Sequence, residues 1–141
     1  MKRTSTAVWK GTGKAGSGTI STQSHVLDKT SYSWSSRFET KQGTNPEELI
    51  AAAHAGCFTM KLSFLLSDAG FVPDTIETTA EVTLANDSIS HSHLTVKAIV
   101  PGISKEEFEK HANYSMENCI VSRALKMKIT MDATLTEKVM A

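Results

Sequence analysis

Apolar and polar positions alternate in three places along this chain and crowd together in a fourth. Ile76, Thr78, Ala80, Val82 and Leu84 form one alternation; Leu94, Val96, Ala98 and Val100 form the second; Ile129, Met131, Ala133 and Leu135 form the third. A period of two marks a strand with one buried face. Asn86-Asp87-Ser88 lies between the first two, so these are expected to pair antiparallel. From Leu49 to Leu66, by contrast, apolar residues fall around nearly the whole circumference of a helix, which predicts a helix buried on most sides. Asn45 as N-cap, Pro46 at the first helical position and Glu48 at the third form a capping box that opens it. Gly70, with Pro73 beyond, closes it. Ser104-Lys105-Glu106-Glu107 is a second capping box, opening a helix that carries Phe108 towards Cys119.

Residues 1–43 are rich in Gly, Ser and Thr, with short strand-like pieces at Thr6 to Lys10, Gly18 to Gln23 and Ser31 to Glu39. In the last piece Tyr32, Trp34 and Phe38 share one parity, and Ser33, Ser35 and Arg37 the other. Read as a strand, it projects Arg37 from the face opposite Phe38. Strands, helix, strands, helix, strand is an α+β order. The expected architecture is antiparallel sheets packed on a long buried central helix, in one domain spanning 1–141. A sheet covers only one side of a helix that is apolar all round, so a second copy of the chain is expected to cover the other, in a homodimer with these helices near its centre.

A chain of 141 residues with 40% hydrophobic content suits one domain with a modest core. Fifteen basic and fifteen acidic side chains balance, which speaks against nucleic acid or an anionic membrane as partner. Met1 to Thr6 carries charges with no apolar run after them, so a cytoplasmic protein is expected rather than a secreted one. The apolar run from Leu49 to Leu66 is interrupted by His54, Gly56, Thr59, Lys61 and Ser63. A membrane span needs roughly 20 predominantly apolar residues, and that reading is set aside.

The chain holds two cysteines, Cys57 and Cys119. They form neither a CxxC motif nor a four-ligand zinc site, but can make one reversible dithiol/disulfide pair if the fold brings them together. In a cytosolic protein, free thiols or a redox pair are expected before a structural disulfide. Cys57 lies in Thr44-Asn45-Pro46-Glu47-Glu48-Leu49-Ile50-Ala51-Ala52-Ala53-His54-Ala55-Gly56-Cys57-Phe58-Thr59-Met60, where small residues leave space beside the sulfur. This segment resembles the OsmC/Ohr family of thiol-dependent organic hydroperoxide reductases, the OsmC branch more than the Ohr branch. Ser33-Trp34-Ser35-Ser36-Arg37-Phe38, Val100-Pro101-Gly102-Ile103 and Cys119-Ile120-Val121-Ser122 also look like family features. Many relatives have a proline directly after the second cysteine; Ile120 here is expected to loosen that turn while leaving the thiol chemistry in place.

The resemblance implies an intertwined homodimer with two active sites at its interface, and a role for each matching residue. Cys57 maps onto the peroxidatic cysteine, whose thiolate attacks the peroxide. Arg37 maps onto an arginine that holds the thiolate and stabilises charge on the leaving alkoxide. Attack leaves an alcohol and a Cys57 sulfenic acid. Cys119 maps onto the resolving cysteine, which condenses with the sulfenate to a disulfide that an external dithiol, of lipoyl type in the Ohr branch, reduces. Glu47 maps onto a carboxylate that directs the arginine. Each has a plainer reading: small buried hydrophobes for the cysteines, a solvated strand arginine for Arg37, and a first-turn glutamate favoured by the helix dipole for Glu47. Ten residues of continuous helix separate Glu47 from Cys57 by about 15 Å. Either the helix breaks near Gly56, or the Glu47 that serves Cys57 comes from the partner subunit.

His54, three residues before Cys57, shares its helical face. A His-x-x-Cys pair, with His91 and His93, suggests metal, but no four-ligand spacing supports it. His54 is expected to pack near the site as a neutral neighbour, and His91 and His93 to be solvated. The sequence thus predicts a thiol peroxidase acting on organic hydroperoxides, and to some extent on hydrogen peroxide, with no flavin, haem or metal required. Phe58, Met60, Phe64 and Met116 suit an apolar substituent, or simply a core. The alternative is a redox-responsive or ligand-binding protein of the same fold that does not turn over.

Overall fold

The computed structural model describes residues 1–137. The chain forms two compact units, Met1–Leu49 and Ile50 onwards.

The first unit holds an antiparallel sheet of β1 (Ser5–Lys10), β2 (Ser17–Thr22) and β3 (Thr30–Tyr32) in that order. Trp9 and Tyr32 meet across the central strand, ring centroids 5.3 Å apart, above Gly18. A Cβ at Gly18 would stand 2.5 Å from Trp9, so the bare backbone is what lets the two rings close. No hydrophobic side chain of this unit is buried. The expected strand from Ser31 to Glu39 is corrected here: pairing stops at Tyr32, and Trp34–Phe38 is a short helix, α1. Ser33 caps it, accepting from the Ser36 N–H while its own N–H donates to Ser36 Oγ. That reciprocal pair satisfies two backbone donors and outweighs the aromatic alternation that suggested a strand.

The long helix α2 runs unbroken over Pro46–Asp68. Asn45 caps it through the Glu48 N–H at 2.7 Å. The other half of the expected capping box is replaced: the Glu48 carboxylate accepts from Thr44 Oγ1 at 2.9 Å. Gly70, at φ +93, follows its end as expected. By length and composition α2 could cross a membrane, but His54, Phe58, Leu62 and Leu66 form a stripe buried in the second unit. Met60 and Phe64 are 64% and 63% exposed, so within one chain α2 is buried on one face and not on most sides.

In the second unit β4 (Thr75–Ala85) and β5 (Ser88–Ile99) form the expected antiparallel hairpin. Its two-residue turn, Asn86-Asp87, takes positive φ at both positions (53° and 61°), as such hairpins require. The chain then passes through α3 (Lys105–Asn118) and α4 (Ile120–Ala124) to β6 (Lys128–Thr136). β6 pairs with β5 in parallel, so this sheet is mixed rather than purely antiparallel. A helical crossover is what permits parallel neighbours. Leu94, Val96 and Ala98 of β5 meet Phe58, Leu62 and Leu66 of α2 and Phe108 and Ala112 of α3 in one core.

Candidate functional site

Two polar constellations stand out, one in each unit. In the first, Ser36 Oγ donates to the carbonyl of Thr44 at 3.0 Å, and Asn45 Nδ2 donates to that of Ser36 at 3.2 Å. These bonds tie α1 to the start of α2 and thereby set Arg37 against Glu47. Arg37 Nε donates to both carboxylate oxygens, at 2.9 and 3.2 Å. Among the described residues its two Nη groups have no hydrogen-bond partner, and the guanidinium lies 5.2 Å from the Phe38 ring. Arg37 therefore projects from a helix and lies over Phe38, not on the opposite face of a strand. Glu47 is buried and spends its charge on this arginine.

In the second unit Cys119 is the single residue between α3 and α4. Its extended backbone (φ −66°, ψ 149°) ends one helix and caps the next, with its sulfur accepting from the Ser122 N–H at 3.4 Å. The adjacent amide, Val121 N–H, donates instead to Cys57 Sγ at 3.4 Å. Both sulfurs are thus held at the first turn of α4, and both cysteines are free thiols. Cys57 is half-buried, whereas Cys119 is buried. Burial pushes the Cys119 thiol above its ordinary value; hydrogen bonds from Ser122 pull it down, and the neighbouring Cys57 adds to the rise. The turn that Ile120 was expected to loosen is fully formed, with Ile120 exposed at its first position.

His54 is completely buried. Its Nδ1 lies 2.7 Å from Ser92 Oγ on β5, and its Nε2 lies 2.7 Å from Ser122 Oγ on α4. The Cys119 thiol donates to the same Ser122 hydroxyl at 3.1 Å. Burial lowers the imidazole below its ordinary value, so His54 is neutral at neutral pH, as expected. Among the described residues no group of three or more His, Cys, Asp or Glu could hold a metal. His91 and His93 lie apart from His54, both against Thr130 of β6, with His93 reaching Asp132 at 3.1 Å. They are part-buried rather than freely solvated.

Sequence reasoning named Cys57, Cys119, Arg37 and Glu47, with Arg37 on a strand where the structure has a helix, and gave no role to Ser92 or Ser122. Ser92 shares the parity of Leu94, Val96 and Ala98 on β5 and is buried with them, so a serine in core register was the available signal. The structure pairs Arg37 with Glu47, and Cys57 with Cys119. Since α2 does not break near Gly56, Glu47 and Cys57 of one chain lie about 15 Å apart along it.

Comparison with known proteins bears on the family and the fold. The family model described as OsmC-like protein matches residues 39–134. Peroxiredoxin OsmC of Escherichia coli K12 is 46% identical over 133 residues, which is 92% of this chain and 93% of that protein. An organic hydroperoxide resistance protein-like chain of Staphylococcus aureus is 34% identical over 95 residues, covering 64% of this chain and 68% of its own. Among solved structures, the organic hydroperoxide resistance protein OhrB of Bacillus subtilis superposes with a TM-score of 0.68 at 25% identity, covering 94% of this chain and 98% of that one. An OsmC-like protein of unknown function from Vibrio cholerae shares the fold, with a TM-score of 0.75 at 15% identity over 95% and 99% of the two chains. With the family match and the Escherichia coli relative each spanning most of its length, this chain belongs to the OsmC-like protein family.

Proposed function

We propose that this protein is a thiol-dependent peroxidase that reduces organic hydroperoxides to alcohols, with Cys57 as nucleophile and Cys119 as the thiol that resolves it. The observation that carries this reading is the pair of sulfurs at the first turn of α4, one half-exposed and one buried. The Val121 N–H points at Cys57 Sγ, and a thiolate accepts such a bond more strongly than a thiol. The thiolate attacks one peroxide oxygen, the O–O bond breaks, and the alkoxide leaves to become the alcohol. Cys57 is left as a sulfenic acid. Cys119 attacks that sulfur, a disulfide forms and water is released. Two thiol–disulfide exchanges with an external dithiol, of lipoyl type, restore both thiols.

Arg37 is the electrostatic partner in this scheme. Glu47 holds its Nε, and among the described residues its Nη groups have no hydrogen-bond partner, so the fork is held and still open to a peroxide oxygen. Because α2 is unbroken, the arginine that serves Cys57 is Arg37 of the partner subunit, directed by Glu47 of the partner subunit. Two further observations favour a homodimer: the exposed Met60 and Phe64 on α2, and a first unit without a buried hydrophobic side chain. Both call for apolar cover. The protein acts in the cytoplasm.

The test is thiol counting by mass spectrometry before and after one equivalent of cumene hydroperoxide, followed by turnover with excess dithiol. Wild type should lose both thiols to one disulfide and then consume many equivalents of peroxide. Cys119→Ser should stop at a trappable sulfenic acid, and Cys57→Ser should consume none. Normal turnover by Cys57→Ser would sink the assignment. Consumption of a single equivalent, despite dithiol, would replace the enzyme by a redox-responsive protein.

A further inference from the structure

Burial leaves Cys119 with a difficulty. Its thiol must attack, yet the low-dielectric surroundings hold the proton on sulfur. A buried thiol that reacts needs a group to take that proton as the new bond forms.

From the Cys119 thiol proton outward, the side-chain hydrogen bonds run in one direction. Cys119 S–H donates to Ser122 Oγ. Ser122 has one proton to give, and its partner for that proton is His54 Nε2 at 2.7 Å. Nε2 is then an acceptor, so the ring carries its proton on Nδ1 and donates it to Ser92 Oγ at 2.7 Å. Among the described residues the ring's polar contacts are these two hydroxyls, from β5 and α4; the titratable groups at the far end are the thiols of Cys119 and Cys57. Every polar atom along the chain is partnered. A fully buried imidazole with two serine partners is a costly object in a small core, and packing alone would be served by an apolar residue.

We propose that His54, acting through Ser122, is the base that takes the Cys119 proton during disulfide formation, with Ser92 holding the ring in the required tautomer. The step rests on the peroxidase reading above, which supplies the Cys57 sulfenic acid. Cys119 sulfur attacks Cys57 sulfur; the S–S bond forms and the S–O bond of the sulfenic acid breaks. Cys119 is oxidised and Cys57 reduced, both ending in the disulfide. The thiol proton passes to Ser122 Oγ as the Ser122 proton passes to His54 Nε2. The departing hydroxide takes up a proton and leaves as water, and the imidazolium then loses its own, so the step releases one water and no net proton. Transfer in concert with bond formation means that no free thiolate is needed in the core. Ser122 is the catalytic residue here, since it touches the reacting sulfur; His54 is a positioning and proton-accepting residue that acts through it.

The test separates the two steps. One equivalent of cumene hydroperoxide is mixed with protein, and samples quenched over time are analysed by mass spectrometry for dimedone-trapped sulfenic acid and for disulfide. His54→Gln keeps an amide donor and acceptor for Ser92 and Ser122 but has no basic nitrogen. It should form sulfenic acid at the wild-type rate and convert it to disulfide about 100-fold more slowly, the scale of general base catalysis. Ser122→Ala should slow the same step, and Ser122→Thr should restore it. The wild-type disulfide step should lose rate on the acid side as His54 protonates, a limb absent from His54→Gln. Wild-type disulfide formation by His54→Gln, or by Ser122→Ala shown to be folded by circular dichroism, overturns the relay and leaves the peroxidase reading intact. Absence of a dimedone adduct in Cys119→Ser removes the peroxidase reading itself, and the relay with it.

Discussion

Glu47 holds Arg37 by Nε, with both carboxylate oxygens within 3.2 Å, and among the described residues the terminal nitrogens of the guanidinium have no hydrogen-bond partner. The pair is aimed rather than consumed. Because the Arg37 side chain is 41% exposed, solvent screening limits the stabilisation this bridge supplies to about 1 kcal/mol or less. Its use is therefore orientation.

Replacing Arg37 should accordingly leave the fold intact and slow the first chemical step. Arg37→Ala is expected to cut the rate of peroxide attack by about 100-fold, the cost of losing one preorganised donor to a developing negative charge. Arg37→Lys should recover little of it, because a point ammonium cannot bond Glu47 and the peroxide oxygen with one planar fork. Single-turnover peroxide consumption at neutral pH measures this; an unchanged rate removes Arg37 from the mechanism.

The proposal that each site is shared between two subunits has its own test in complementation. A Glu47→Ala, Arg37→Ala double mutant and a Cys57→Ser protein are each expected to be inactive. Mixed and refolded together, they should form heterodimers with one wholly intact site and regain up to half the activity per heterodimer. If Glu47, Arg37 and Cys57 of one chain served the same site, every mixed dimer would hold two damaged sites and stay inactive. That result would leave the peroxidase reading standing without the shared site.

Ile120→Pro should stabilise the protein. Position 120 opens α4, where a backbone N–H has no helical partner and a fixed φ near −65° is already suitable. Cys119 before it is at φ −66°, ψ 149°, the extended geometry that a following proline demands. The gain should be about 0.4–1 kcal/mol, from the reduced freedom of the unfolded chain, read as a higher urea midpoint at unchanged slope. A lower midpoint would mean that this turn does not hold the geometry described.

His54 should make folding stability depend on pH on the acid side. Its folded value is lowered by burial, so below the unfolded value of about 6.5 the unfolded chain binds a proton that the native state refuses. The contribution is fully present above that pH and is lost as pH falls towards the folded value. Urea titrations from neutral to mildly acid pH should show a decline in wild type that is shallower in His54→Gln. Equal slopes would mean that the native state accepts the proton without penalty.

Much of this protein is legible from the chain alone because it depends on neighbours in sequence. The Asn45 and Ser104 caps, the stop at Gly70 and the Asn86-Asp87 turn are each decided within a few residues, and the structure keeps them all. Local rules faltered at 33–38, where Ser36 rather than Glu or Gln completes the capping box and the aromatic alternation imitates a strand. The family resemblance implied both pairings, Glu47 with Arg37 and Cys119 with Cys57, but not the contacts that bring each pair together. Arg37 meets Glu47 only because the Ser36, Thr44 and Asn45 bonds bring α1 to the start of α2. The parallel seat of β6 follows from a crossover through two helices. Tertiary structure alone decided the chain from Ser92 through His54 and Ser122 to Cys119. Its members come from three elements distant in sequence, and hydrogen bonds a few ångströms long between such elements leave no period or spacing for a sequence to display.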